Sequence, residues 1–189
     1  MTQSTDNDYL RYYDLESYLL DVVRNRFKTE GCLNVFDFFC IVIWKTQHRD
    51  KSKIAKRLLS QSHTKTLEEA VHILTRGIAN CPGSQDKFKC LLGKDWRFRL
   101  PLASAILTVL YPDEFTIYDT RVCEQLGAFE KLVNWEYSEK LWDSYLEFLA
   151  KVRSTTPPEL SLRDKDRYLF GKSVYNQLMR DIEQGIGNG

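Results

Sequence analysis

Several things are missing from this 189-residue chain, and each absence removes a class of reading. Its five cysteines (Cys32, Cys40, Cys81, Cys90, Cys123) never stand in a Cys-x-x-Cys spacing, and His48, His63 and His72 are equally scattered. Structural zinc needs close ligand pairs and an iron–sulfur cluster needs a four-cysteine run, so no metal, cluster or other cofactor is expected. An odd number of cysteines among apolar neighbours argues for free core thiols in a reducing compartment rather than a disulfide framework. The longest apolar run, Val35 to Trp44, spans ten residues and is broken by Asp37, whereas crossing a bilayer takes roughly 20. A buried helix is expected there, and no membrane partner. The polar, acidic start through Asp8 lacks the basic segment and apolar centre of a secretory signal, which predicts a cytoplasmic, nucleoid-associated or nuclear protein that is not secreted.

Nor is there a large excess of either charge, since the net charge is +1. The charges are unevenly spread, however. From Trp44 to Lys65 seven basic residues face one acid, Asp50, a local charge of +6; from Lys87 to Arg99 five face Asp95, a local +4. Two basic segments on a near-neutral chain predict either a solvated helix face or a directional polyanion-binding face. With 43% apolar and 28% charged residues the composition is that of a folded domain.

What is present is helical periodicity. Leu10, Tyr13, Leu20, Val23 and Phe27 fall on one stripe of a helix over 9–27, and Asn34 caps a second through Phe36, Phe39, Cys40 and Ile43 to about Thr46. Asp50 is positioned to cap a third, with Ile54, Ala55, Leu58 and Leu59 inward. Thr66 to Glu69 fits a capping box ahead of Ala70, Val71, Ile73, Leu74 and Ile78. A short helix from Ser84 stops at Gly93; a loop or tight hairpin follows to Leu100; Pro101 then opens an apolar helix that ends before Pro112. Asp119 caps a helix ended by Gly127, and Ser138 opens one with Leu141, Trp142, Tyr145, Leu146, Leu149 and Val152 inward. After a Pro157-Pro158 linker the last helix starts at Ser161. No strand pair or repeat is visible, so the expectation is a single all-α unit of eight or nine helices.

The order of these features resembles the helix-hairpin-helix DNA glycosylases, the superfamily of endonuclease III and 8-oxoguanine glycosylase. Tyr118-Asp119-Thr120-Arg121-Val122 is similar to their Val-Asp-Thr-His-Val pattern, sixteen residues after the small residue Ala103. The helix ending at Trp44-Lys45-Thr46-Gln47 resembles their first barrel helix and its following glutamine, and Leu162-Arg163-Asp164-Lys165-Asp166 resembles a Leu-Arg-x-x-Asp helix start in some members. The resemblance implies two helical lobes with a cleft between them. A central barrel lobe would cover 33–127, with its hairpin at about 84–111, and a second lobe would combine 5–30 with 128–186.

It further implies a monomeric enzyme that flips a damaged or modified base out of double-stranded DNA and hydrolyses its N-glycosidic bond. Such cleavage develops positive charge on the sugar, which a carboxylate stabilises while activating water. Asp119 is the implied catalytic residue, at a helix N-terminus whose dipole favours an anion. The lysine nucleophile of bifunctional members falls on Pro101, which implies a monofunctional enzyme; Lys94 is the alternative nucleophile if the hairpin turns it inward. No glycine pair occurs in Gly93 to Pro101, so phosphate contacts are assigned to Lys94, Arg97 and Arg99, joined by Lys45, Arg49, Lys51, Lys53 and Ser104. Gln47 is the candidate to fill the space left by the base, and Trp44, Trp96, Phe98 and Tyr118 are candidates to stack on it. Two other readings stand beside this one: a non-catalytic DNA-binding module of the same fold, and a helical protein-interaction domain.

Overall fold

A computed structural model describes residues 6–47 and 50–186, and every regular element among them is helical. A 3-10 turn, Asp6–Tyr12, leads into α1, a composite helix of one α turn at Leu15–Ser17, a π-helical stretch at Tyr18–Val23 and α-helix again at Arg24–Glu30. Then follow α2 (Val35–Thr46), α3 (Lys51–Ser62), α4 (Leu67–Ala79), α5 (Ser84–Leu92) and α6 (Leu100–Leu110). The chain closes with α7 (Thr120–Leu126), a 3-10 turn at Glu130–Asn134, α8 (Glu139–Thr155) and α9 (Leu162–Ile186). The all-α expectation holds, with nine α-helices among the described residues. None of them is long and apolar enough to cross a membrane.

Local chemistry explains most boundaries. Asn34 accepts the Asp37 amide at 2.8 Å, Thr66 accepts that of Glu69 at 3.2 Å, and Ser138 accepts that of Leu141 at 3.2 Å, so these helices start where a side chain takes an orphan donor. Gly127 ends α7 with a φ of 65°, the left-handed conformation glycine adopts without penalty. Gly93 ends α5 for a different reason. Its φ is negative, but a Cβ there would lie 2.6 Å from the Lys89 carbonyl oxygen, so only glycine fits. Asp50 precedes α3 yet makes no capping bond; its carboxylate lies 3.6 Å from the Lys53 ammonium instead.

Five residues expected on the apolar stripes are exposed instead. Leu10 and Tyr13 are 78% and 95% exposed, because regular α-helix begins only at Leu15, where Asp14 accepts the Ser17 amide, and the π-helical stretch then changes the register. Phe36, Ile73 and Leu146 are also exposed, each on the flank of a stripe that is wide enough without it. At the centre lies α6, buried at every position from Leu102 to Leu110. A helix apolar all round has to be covered on all sides, which makes it the axis against which α2 and α5 pack. Phe38, Phe88, Phe115, Phe148 and Tyr145 fill the same continuous core.

Between α6 and α7 runs a buried stretch outside the helices, residues 115–118. Buried backbone donors need partners, and three helices supply them by side chain. The Thr116 amide donates to the Tyr145 hydroxyl of α8 (3.1 Å), the Ile117 amide to Asp166 Oδ2 of α9 (3.3 Å), and the Tyr118 amide to Ser104 Oγ of α6 (2.9 Å). Tyr145 also donates to the Thr116 carbonyl at 2.7 Å, and Thr116 Oγ1 to Asp166 at 3.1 Å. This lacing delivers the next residue, Asp119, to a fixed place.

Candidate functional site

Asp119 caps α7 with one oxygen and meets a lysine with the other. Its Oδ1 accepts the Arg121 amide at 3.0 Å, and its Oδ2 lies 2.6 Å from Lys45 Nζ, which reaches over from the last turn of α2. Both side chains are mostly covered, 28% and 13% exposed, and both line a cavity of about 320 Å3. Trp44 and Gln47 line it from the same end of α2, and Arg163, Asp166, Arg167 and Phe170 from α9. Gln47 sits at the rim in the left-handed conformation, φ 49°, uncommon outside glycine, asparagine and aspartate, with its amide closing α2 on the Ile43 carbonyl at 2.8 Å.

The opposite wall is a charge network. The Arg163 guanidinium lies 5.3 Å from the Trp44 ring centre, donates through Nε to Glu16 Oε1 at 3.0 Å, and pairs through its terminal nitrogens with Glu16 and Asp166. Arg167 Nε adds a contact of 2.9 Å to the same Glu16 oxygen. Three cations (Lys45, Arg163, Arg167) thus face three carboxylates (Glu16, Asp119, Asp166), and each is paired. Burial pushes the Asp166 carboxyl up to about 6, with Arg163, the Ile117 amide and the Thr116 hydroxyl pulling the other way. A cavity neutral overall, floored by an indole and a phenyl ring and edged by fixed polar groups, suits a flat polar ligand better than a multiply charged one.

Of the residues singled out from the sequence, Trp44, Lys45, Gln47 and Asp119 converge on this cavity. Lys45 does so as the partner of Asp119, so its ammonium is turned inward, away from any phosphate outside. Tyr118 does not belong to the cavity wall. It is 1% exposed, its hydroxyl donating to the Phe129 carbonyl at 2.7 Å, because alternation along the extended segment turns it away from Asp119. Trp96 and Phe98 are likewise drawn into the core, the large apolar area of their rings outweighing a place on the hairpin surface. Ser104 is fully buried and committed to the Tyr118 amide, hence a support for the 115–118 segment and no phosphate contact.

Lys94, Arg97 and Arg99 line a second, larger groove instead, so Lys94 does not stand beside Asp119 as a nucleophile. Lys51 and Lys53 are exposed on α3, outside the walls of both cavities, and Arg49 lies outside the described residues. Sequence reasoning missed Glu16, Arg167 and Phe170 as wall residues. Glu16 joins Arg163 across 147 residues, a pairing with no local signal; the Arg163–Asp166 spacing of three was the visible half of the network. No protein-family model, curated protein or solved structure matches the chain.

Proposed function

We propose that the Asp119 cavity is the active site of a DNA N-glycosylase of the helix-hairpin-helix type, acting on a damaged or modified base flipped out of duplex DNA. The observation that carries this reading is the convergence of three segments far apart in sequence, Trp44 to Gln47, Asp119, and Arg163 to Asp166, on one cavity. Those are the three segments in which the chain resembles that superfamily. Trp44, stiffened by the Arg163 guanidinium behind it, offers a stacking face for the extruded base, and Gln47 stands at the rim where the vacated space in the duplex would lie.

In this reading the bond from C1′ to the base nitrogen breaks with its electron pair leaving on the base, and positive charge develops on the sugar. The Asp119 carboxylate stabilises that charge and takes a proton from the water whose oxygen bonds to C1′. Lys45 and the Arg121 amide hold both carboxylate oxygens, fixing their direction. The Asp119→Asn variant tests the assignment. Incubated with duplexes carrying a panel of altered bases, the wild-type protein releases free base detectable by mass. The variant binds the same duplex and excises at least about 10²-fold more slowly; undiminished excision would remove Asp119 from the mechanism. Binding without release by either protein would instead favour the non-catalytic module.

Lys45 favours a second reading of the chemistry. The position of the usual lysine nucleophile holds Pro101, yet the structure brings another amine to 2.6 Å from Asp119. After passing a proton to Asp119, that amine can add at C1′ as the base leaves with its electron pair; the C1′–O4′ bond then opens, the ring oxygen taking up a proton, and the adduct becomes an iminium link. Borohydride trapping of protein on DNA, lost in Lys45→Gln, distinguishes this route from direct hydrolysis.

A further inference from the structure

The cations that line the two cavities differ in how they are partnered. In the Asp119 cavity every one faces a carboxylate. The second groove, about 1200 Å3, is walled by the 93–99 segment and its neighbours and is the opposite case. Arg57, Lys89, Lys94, Arg97 and Arg99 line it, and among the described residues none of the five comes within ion-pair distance of an acid. Asp86, Asp95 and Glu136 lie in the same walls, so acids are at hand and still leave these cations unpaired, with an excess charge of 5 − 3 = +2. Two guanidinia are held by the turn itself. Arg57 donates to the Arg97 carbonyl at 2.7 Å and lies 5.9 Å from the Phe98 ring centre, while Arg97 Nε donates to the Lys94 carbonyl at 3.3 Å. Neutral carbonyls fix position without cancelling charge. Arg97 also has a φ of 51°, a conformation that non-glycine residues adopt at a cost and that recurs at ligand-holding turns.

Aromatic rings stand among these charges. Trp135 and Tyr137 line the groove, both half-buried, with the Lys140 ammonium 5.2 Å from the centre of the Trp135 ring. Unpaired cations between partly exposed rings are what a single strand uses: the charges track its phosphates and the rings take its unstacked bases. A duplex would meet the cations but has no free base face to offer the rings, and an acidic peptide has no repeating aromatic face at all.

We propose that this groove binds a single-stranded stretch of nucleic acid, at a site separate from the Asp119 cavity and independent of any chemistry there. The test is fluorescence anisotropy of a labelled 12-nucleotide oligo-dT with the full chain, against a duplex of equal length and with poly-glutamate as competitor. The single strand binds more tightly than the duplex, and the logarithm of its binding constant falls linearly with the logarithm of salt concentration, with a slope of about −0.7 per phosphate neutralised. The double variant Lys94→Glu, Arg99→Glu changes two exposed side chains and lowers affinity at least tenfold. Trp135→Leu, checked for retained helicity by circular dichroism, lowers it by roughly 5- to 100-fold, and Asp119→Asn leaves it unchanged. Equal affinity for duplex and single strand with a silent Trp135→Leu overturns the proposal in favour of a duplex-backbone groove. Poly-glutamate competing as well as the oligonucleotide overturns it in favour of a general acidic partner, and an unaffected charge-reversal variant removes the groove from binding altogether.

Discussion

Asp119 has two carboxylate oxygens and two donors, so losing either donor frees the group to rotate without unfolding anything. Lys45→Gln removes one of them. Because the pair is partly solvated, the expected cost in stability is at most about 1 kcal/mol by urea melt, whereas under the proposed function base release falls far more than that figure implies; equal losses would reduce Lys45 to a structural pair. Asp166 behaves differently, being buried. Its carboxyl titrates near 6 rather than at the ordinary 3.8, so the folded protein holds this proton at pH values where the unfolded chain has released it. The group's contribution is therefore fully present below about pH 3.8 and is lost as pH rises through 6, a cost of about 3 kcal/mol at neutral pH. Asp166→Asn keeps the neutral form throughout. The stability gap between variant and wild type should move in the variant's favour by up to that amount between pH 4 and 7. A constant gap would mean that the Arg163 guanidinium outweighs burial and keeps Asp166 ionised.

At the scale of elements, the stretch 115–118 sets the accuracy of the site. Tyr145→Phe leaves the Thr116 amide and carbonyl without their shared partner in the core, which costs about 2–4 kcal/mol in a urea melt; under the proposed function base release drops with it, because Asp119 is the next anchored residue. A loss below about 0.5 kcal/mol would show that the segment does not need α8. How far such elements could be read from sequence follows from the range of the interactions that make them. Asn34, Thr66, Asp119 and Ser138 were legible as caps because a cap is decided within three residues. The start of α1 was not, since a π-helical stretch shifts the stripe without changing its composition. Tyr118, Trp96 and Phe98 were misplaced for a related reason: an aromatic ring near a charged loop serves equally well as a stacking surface or as core, and burial decides between them. Glu16 was illegible, its partner being 147 residues distant.

Across the whole molecule, a net charge of +1 conceals a division between a cavity whose charges cancel and a groove whose charges do not. The fold is also wired so that its site cannot assemble in parts. The amides of Thr116, Ile117 and Tyr118 are protected by side chains from α8, α9 and α6, elements that belong to separate stretches of the chain. No local helix can form and shelter them alone. In hydrogen exchange these three amides should therefore open only with global unfolding, at the slow rate of the α6 core and with the same denaturant dependence. Faster exchange there than in α6 would reveal a separately opening unit. Slow exchange would mean that a partly folded chain carries no partly formed site, and that the surroundings of Asp119 exist only once α6, α8 and α9 have met.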